Sequence, residues 1–458
     1  MLRITETGAR PLTGIDNGEA IQRAIDLCAV DGGGRVVVPD GTFTTGPLLL
    51  KTGVELYLTR GSVLRFVDDP VSYSLATTRW EGVECHAYCS LLRVEDARDV
   101  AITGEGTIDG NGERWWQTYR GIRSGSLEAS RVPGVSSILE ANRQIPYSSG
   151  GGGRETGFLR PALIQVKNSS DVLLEGIVAR NSPCWNTHIL YSDQITIRNV
   201  KFQNPPDAPN TDGLSIDSSR HVLVEGCRFD VGDDCLGLKA GAGEDGLRVG
   251  RGTHDVTVRD CSMNHGHGGI VIGSETAGGI SDVVAERCTF KGTDRGIRIK
   301  SRRGRGGVIA GIRASDLQME DVGCPLVINL FYRCGAREEE AELLGRLQPQ
   351  PIDALTPSVS GVEIERLAAR HVRYAAAVIF GLPERPIEGL RMVDCTFQVD
   401  QGYEPGEPAM DFGWNRFSGA GLVTRNVEGV SLERIEVSGT TPAHIDLGSA
   451  GPSETAGD

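Results

Sequence analysis

HVLVEGCRFDV, residues 221–231, reads as a short alternating strand, a turn residue, one apolar residue and a second short strand. The same pattern is written in DVLLEGIVARN (171–181), DQITIRNVKFQN (193–204), DVTVRDCSMNH (255–265) and DVVAERCTFKG (282–292). With Ile177, Val200, Cys227, Cys261 and Cys288 as equivalent positions, the spacings are 23, 27, 34 and 27 residues. Weaker copies follow in GIRASDLQM, GVEIERLAARHV, RMVDCTFQV and SLERIEVSG. A period this short, with no helix between strands, is too small for a propeller blade. It suits an all-β, right-handed parallel β-helix, a solenoid whose coils stack at the usual strand spacing of about 4.8 Å.

Working outward, the rest of the 458-residue chain fits one such solenoid. In DNGEAIQRAIDLCAVDGGG, Asp16 is a candidate cap, and Ala20, Ile21, Ala24, Ile25 and Cys28 make one apolar stripe. This predicts an amphipathic helix over about 16–32 that closes the N-terminal end. RVVVPDGTFTTGPLLLKTGVELYLTRGSVLRF supplies the first coils. Residues 115–162 break the rhythm and read as a long insertion; a second, partly helical one covers about 335–357.

The chain holds 61 glycines, and aromatic residues are only 5%, which fits many short strands joined by tight turns. Lys plus Arg number 47 against 61 Asp plus Glu. That balance argues against general nucleic-acid binding. No run of about 18 apolar residues predicts a membrane span. MLRITETGARPLTG has no apolar core of signal-peptide length, so the expected location is the cytoplasm, or outside the cell if a signal has been removed. The eleven cysteines fit neither a small disulfide scaffold nor paired CxxC zinc ligands. Cys227, Cys261, Cys288 and Cys395 fall on repeat positions and are expected as small apolar residues in internal stacks; a metal cluster built from them is the alternative.

Aligning coils on their next strand gives TDGLSID from Thr211, DDCLGLK from Asp233, HGGIVIG from His267 and DRGIRIK from Asp294. Asp212 and Asp234 then share a column, as do Asp233 and His267. Period two puts Arg298 and Lys300 on one face, and their charge requires that face to be outside. A single Asp at such a turn is explained by capping of backbone amides. Three acids, an imidazole and two cations together are not, since capping needs no doubled acid. Cleavage of a glycosidic bond does: one carboxylic acid protonates the leaving oxygen, and a carboxylate activates water. Mutual repulsion within such a set raises one pKa and leaves its neighbours ionised. The adjacent cations suit an acidic sugar, within a local basic set of Arg295, Arg298, Lys300, Arg302, Arg303 and Arg305.

Asn210-Thr211-Asp212, Asp233-Asp234, Gly266-His267-Gly268 and Arg298-Ile299-Lys300 stand in the order of the four motifs of the polygalacturonase family of glycoside hydrolases, which this chain resembles over roughly 16–445. The resemblance implies a right-handed parallel β-helix, no metal or organic cofactor, and inverting hydrolysis of α-1,4 linkages between galacturonate residues. It also implies Asp233 as general acid, Asp212 and Asp234 as activators of water, His267 as a modulator of the acid, and Arg298 with Lys300 as the holders of a galacturonate carboxylate on the leaving side. Carboxylates on adjacent coils would lie about 5 Å apart if parallel, a spacing associated with retention, so the stereochemistry rests on the resemblance.

Exo action needs one end of the substrate groove blocked. The 115–162 insertion is the expected wall, with Arg154, Arg160 and Glu155 as candidate contacts to a terminal sugar and Asn210 and Arg303 as further substrate contacts. Trp80 and Trp115-Trp116 either stack on sugar faces or fill the junction between insertion and solenoid. The SRRGRGG run after Lys300 resembles bacterial exo-acting members. The expected partner is therefore an oligogalacturonate or a related acidic pectic oligosaccharide, trimmed to galacturonate or digalacturonate. Alternatives are xylogalacturonan, rhamnogalacturonan or unsaturated oligomers as substrate, a calcium-dependent pectate lyase that uses the acids as ligands, and a non-catalytic carbohydrate-binding solenoid.

Overall fold

A computed structural model describes residues 1–11, 14–145, 153–440 and 442–448. The repeats form a right-handed parallel β-helix. Each coil gives one strand to a twelve-stranded sheet and two to a 22-stranded sheet that wraps the remaining faces. One coil, for example, runs Leu214–Asp217, then Arg220–Glu225, then Arg228–Asp230.

The turn residue of the motif is where the chain bends. Gly176, Asn199, Gly226, Asp260 and Arg287 have φ of 78°, 55°, 65°, 55° and 51°. Three of these five are not glycine, and each of those accepts a left-handed conformation worth about 1–2 kcal/mol of strain. The next residue explains why: Ile177, Val200, Cys227, Cys261 and Cys288 are all buried as a continuous internal stack. Turning the corner in one residue sends each of them inward. The cysteines are free thiols, and Sγ of Cys227, Cys261 and Cys288 points at the carbonyls of Ile197, Val224 and Val258 in the preceding coils.

The N-terminal helix spans Gly18–Val30 and buries Ile21, Ala24, Ile25 and Cys28 against the first coils. Asp16 lies one residue before the capping position, which Asn17 occupies; its carboxylate accepts the amides of Gly18 at 2.8 Å and Gly46 at 3.0 Å. It therefore ties the helix start to the first coil.

In the twelve-stranded sheet, Leu214, Leu236, Ile270 and Ile297 stand in register, as do Ile216, Leu238, Ile272 and Ile299. All eight are buried in the solenoid interior, each contributing roughly 1.5–3 kcal/mol relative to exposure. The alternate residues point outward, yet every residue of Asp234–Lys239, Gly268–Gly273 and Arg295–Lys300 is buried. The outer face is therefore a cleft floor and not the exposed strip that the alternation suggests.

Part of its cover is an antiparallel hairpin, Leu75–Trp80 with Val83–Tyr88, that belongs to neither large sheet. Alternation in LATTRW and VECHAY matches this pairing, but the sequence alone does not say what lies beneath it. The 115–162 segment packs against the hairpin through helices Glu113–Arg123 and Val135–Ala141. Trp115 joins Tyr73, Tyr88 and Phe158 in one ring cluster, with centroid distances of 5.6, 5.5 and 5.8 Å. Trp116 donates Nε1–H to the Ser182 carbonyl at 2.9 Å. These tryptophans fill the junction. Residues 146–152 of that insertion lie outside the described residues.

Candidate active site

The register puts Asp212 beside Asp234, and Asp233 in a column with His267 and Asp294. Each acid has a different environment. Asp234 accepts from Lys300 Nζ at 2.7 Å and lies 3.4 Å from Arg298 Nη1. Burial alone would raise its pKa, but Lys300, Arg298 and Lys239 hold the carboxyl well below the usual range. Asp212 is equally buried, with the Ser215 hydroxyl at 3.3 Å and Lys239 Nζ at 3.5 Å. Burial, aided by Asp233 and Asp234, pushes its carboxyl well above the usual range despite Lys239 and Lys300. Asp233 is partly exposed and folds its Oδ1 back onto the Asp234 amide at 2.9 Å.

His267 is 55% exposed in its side chain and holds Asp294 Oδ2 at 2.9 Å through Nδ1. That hydrogen bond and the charge of Asp233 raise its pKa. Arg298 lies over the Tyr332 ring at 5.3 Å, its Nη2 contacts Met410 Sδ at 2.9 Å, and its buried Nε has no hydrogen-bond partner among the described residues. Such a guanidinium retains capacity for an anion.

Lys239 and Glu275 escaped the sequence reading. Lys239 shares a column with Asp217 and, two coils later, with Lys300. The alignment of DDCLGLK with DRGIRIK already contained that signal. Asp294 likewise stood at the head of DRGIRIK, in the column of His267.

The remaining residues expected at the substrate serve the scaffold in this structure. Arg160 is 1% exposed: Nη1 donates to the carbonyls of Pro183 and Pro209 at 2.9 and 2.7 Å, and Nη2 donates to Asn210 Oδ1 at 2.7 Å. It thereby fixes the loop that ends at Asp212, and Asn210 is its partner. Trp80 is buried, donates Nε1–H to the Arg160 carbonyl at 3.1 Å, and its own carbonyl accepts Arg154 Nη1 at 3.1 Å. Glu155 pairs with Arg123 at 2.6 Å. Arg303 forms a two-pronged pair with Glu384 at 2.6 and 2.8 Å and donates to the carbonyls of Leu344 and Arg346, so it pins the second insertion. Arg295 and Arg302 are braces to the backbone at Pro408 and Cys334, their pKa values pushed down by burial to about 10 and about 9. Of the basic set, Arg298 and Lys300 reach the acids.

The hairpin closes the cleft on the N-terminal side of Asp212. Its Thr77 carbonyl accepts Lys167 Nζ, Thr78 Oγ1 accepts Gln165 Nε2 at 2.8 Å, and Arg79 Nη1 holds Asp217 Oδ1 at 2.8 Å. The Gly82 carbonyl accepts the Ala242 amide at 2.9 Å, and Glu275 packs against the same turn. These contacts run coil by coil along the C-terminal ends of the outer-face strands, from Lys167 past Asp217 to Ala242 and Glu275. Arg79 and Asp217 are both 0% exposed.

The sequence signature described as "Glycosyl hydrolases family 28" matches residues 126–341, which contain all four motifs. A probable polygalacturonase of Vitis vinifera is 29% identical over 84% of this chain and 71% of its own length. An exo-poly-alpha-D-galacturonosidase of Dickeya chrysanthemi is 29% identical over 72% of this chain, which spans 56% of that protein. The crystal structure of an exopolygalacturonase from Thermotoga maritima superposes with a TM-score of 0.78 at 29% identity, covering 96% of this chain and 92% of the other.

A parallel β-helix with this acid-lined cleft and these relatives is a glycoside hydrolase. Its residues 126–341 carry the glycosyl hydrolases family 28 signature, and the chain is similar to polygalacturonases over most of its length. The glycoside hydrolase class sets aside the lyase and the non-catalytic readings. The cytoplasmic expectation is overturned by the matched relatives, which are secreted pectin-degrading enzymes. The free cysteines do not oppose this: all but Cys334 are buried, and burial itself shields a thiol from oxidants.

Proposed function

We propose that this enzyme hydrolyses α-1,4 linkages between galacturonate residues, with inversion, releasing galacturonate or digalacturonate from a chain end. The observation that carries this reading is the single outer face on which a hairpin roof lies over the coil of Asp212 and those before it, while Arg298 and Lys300 both stand three coils further on. A chain held by its carboxylate at Arg298 and Lys300 runs toward the roof, and one or two sugars fill the space beyond the scissile bond. With Arg298 and Lys300 on the leaving side, the blocked end receives the non-reducing terminus. The names of the Dickeya and Thermotoga relatives support the same choice.

In this reading Asp233, the most accessible of the three acids, protonates the leaving oxygen, and His267 with Asp294 sets the charge around it. Asp234, kept ionised by Lys300 and Arg298, takes the proton of the attacking water, and Asp212 helps to hold that water in place. Arg298 attracts the sugar carboxylate as a guanidinium charge, Lys300 as a point charge.

Galacturonate oligomers labelled at the reducing end test the proposal. Labelled products only one or two sugars shorter at early times, with the newly formed end first seen as the β anomer by proton NMR, support it. A spread of labelled sizes from the first minutes sinks exo action; the α anomer sinks inversion.

A further inference from the structure

Asp234 has two cations of its own; Asp212 has one, and shares it. Lys239 Nζ stands 3.5 Å from Asp212 Oδ2 and 3.6 Å from Glu275 Oε2, and the three side chains are 5%, 5% and 8% exposed. The ammonium also lies 4.6 Å from the centre of the Trp185 ring, which faces it as a cation–π partner. Its stem runs close over Gly237. A Cβ on Gly237 would lie 3.4 Å from Lys239 Cε, 3.6 Å from Nζ and 3.8 Å from Asp212 Oδ2, so the lysine stem lies back over an empty slot in the strand to reach the acid.

We infer that Lys239 and Glu275 form a buried charge relay that positions Asp212 for hydrolysis, with Glu275 withholding part of the lysine's charge from it. Neither residue touches the bond to be cleaved; both are positioning residues. The inference rests on the hydrolytic reading above, since it concerns how one of those acids is tuned.

Asp212 is faced by Lys239, Asp233, Asp234 and Lys300. Lys239 is faced by Glu275, Asp212, Asp234 and Asp233, and Glu275 by Lys239, Arg305, Lys300 and Asp217. Burial works against the charge on Glu275, but Lys239, then Arg305 and Lys300, keep its carboxyl below the usual range. It is thus a fixed negative charge that competes with Asp212 for one ammonium. Removing Glu275 leaves Lys239 wholly to Asp212 and favours the ionised acid; removing Lys239 does the reverse.

The two substitutions therefore have opposite signs, which a packing role would not produce. In pH profiles of kcat/KM on trigalacturonate, Glu275→Gln should move the limb that reports Asp212 about one pH unit downward, and Lys239→Met should move the same limb upward by a similar amount. If Asp212 works ionised that limb is the acid one; if it works protonated it is the alkaline one. Lys239→Arg should restore the wild-type limb in part. Thermal melting identifies a Lys239→Met protein that has not folded, in which case Glu275→Gln alone decides by the direction of its shift. Shifts in the same direction for both variants, or none in folded Glu275→Gln, overturn the inference. An inactive wild type on every uronate oligomer would instead defeat the hydrolytic reading itself.

Discussion

Asp217 and Asp234 occupy consecutive coils of one sheet, are buried to the same degree, and are both held ionised by cations against the cost of burial. Their roles diverge because of what lies on top. Asp217 is paired with Arg79 from a hairpin 138 residues earlier, and its other oxygen faces His188 at 3.6 Å. Asp234 is paired with Lys300 and Arg298 from its own sheet. The same ladder of outward residues thus builds a lock in one half and a reaction cleft in the other. A buried carboxylate with a good counter-ion is no signature of catalysis; the unroofed stretch is.

The sharpest way to separate the halves is to remove one acid from the open side. Asp233→Asn should lower turnover by about 10²- to 10⁴-fold in a reducing-sugar assay, with the melting temperature unchanged and oligogalacturonate still bound. Residual activity above about a tenth would move the acid role elsewhere. Arg79→Met attacks the other half: it strands Asp217 as a buried charge and should cost about 3–5 kcal/mol by urea denaturation. A folded fraction should release internal fragments from long oligomers. A companion Asp217→Leu should recover much of the stability.

The lock also has a pH signature. The folded pKa of Asp217 lies below the unfolded value of about 3.9, so its contribution is present above that value and drains away as pH falls through the folded one. Urea denaturation below about pH 4 should therefore show the wild type losing more stability than the Arg79→Met, Asp217→Leu pair.

Smaller effects sharpen the boundary between the halves. Arg298→Gln removes a charged contact worth about 1.5–3 kcal/mol, roughly 10- to 100-fold in kcat/KM, and should raise KM for galacturonate oligomers. Gly82→Ala tests the edge of the roof: φ is +85°, and the new Cβ would sit 2.7 Å from Ala242 Cβ and Glu275 Cγ. A cost of about 1–2 kcal/mol and a minor appearance of internal products are expected. Unchanged products would mean that the hairpin tip does not set the end of the substrate site.

Much of the cleft floor was legible because a coil is a local object. Once Ile177 and Cys227 are taken as equivalent, the columns of Asp212 with Asp234 and of Asp233 with His267 follow by counting, and Lys239 was readable in the column of Lys300. The destinations of Arg160, Arg154, Trp80 and Arg303 were not readable. Their residue types suit a sugar or a scaffold equally well, and each is decided by carbonyls or carboxylates brought from elsewhere in the chain. Nor does a repeat register reveal that Asp212 is pushed toward its neutral form while Asp234 is kept charged. That difference depends on Lys239 being shared with Glu275, which lies outside the aligned strand.

By itself, then, the sequence determined the solenoid, its period and the residues that share a column, because backbone pairing between successive coils propagates one pattern at a fixed rise. The tertiary structure alone decided which part of the outer face is closed, which arginines are braces and how charge is divided among the acids. Those outcomes depend on desolvation and on contacts between segments far apart in the chain, and neither quantity is carried by a local pattern of residues.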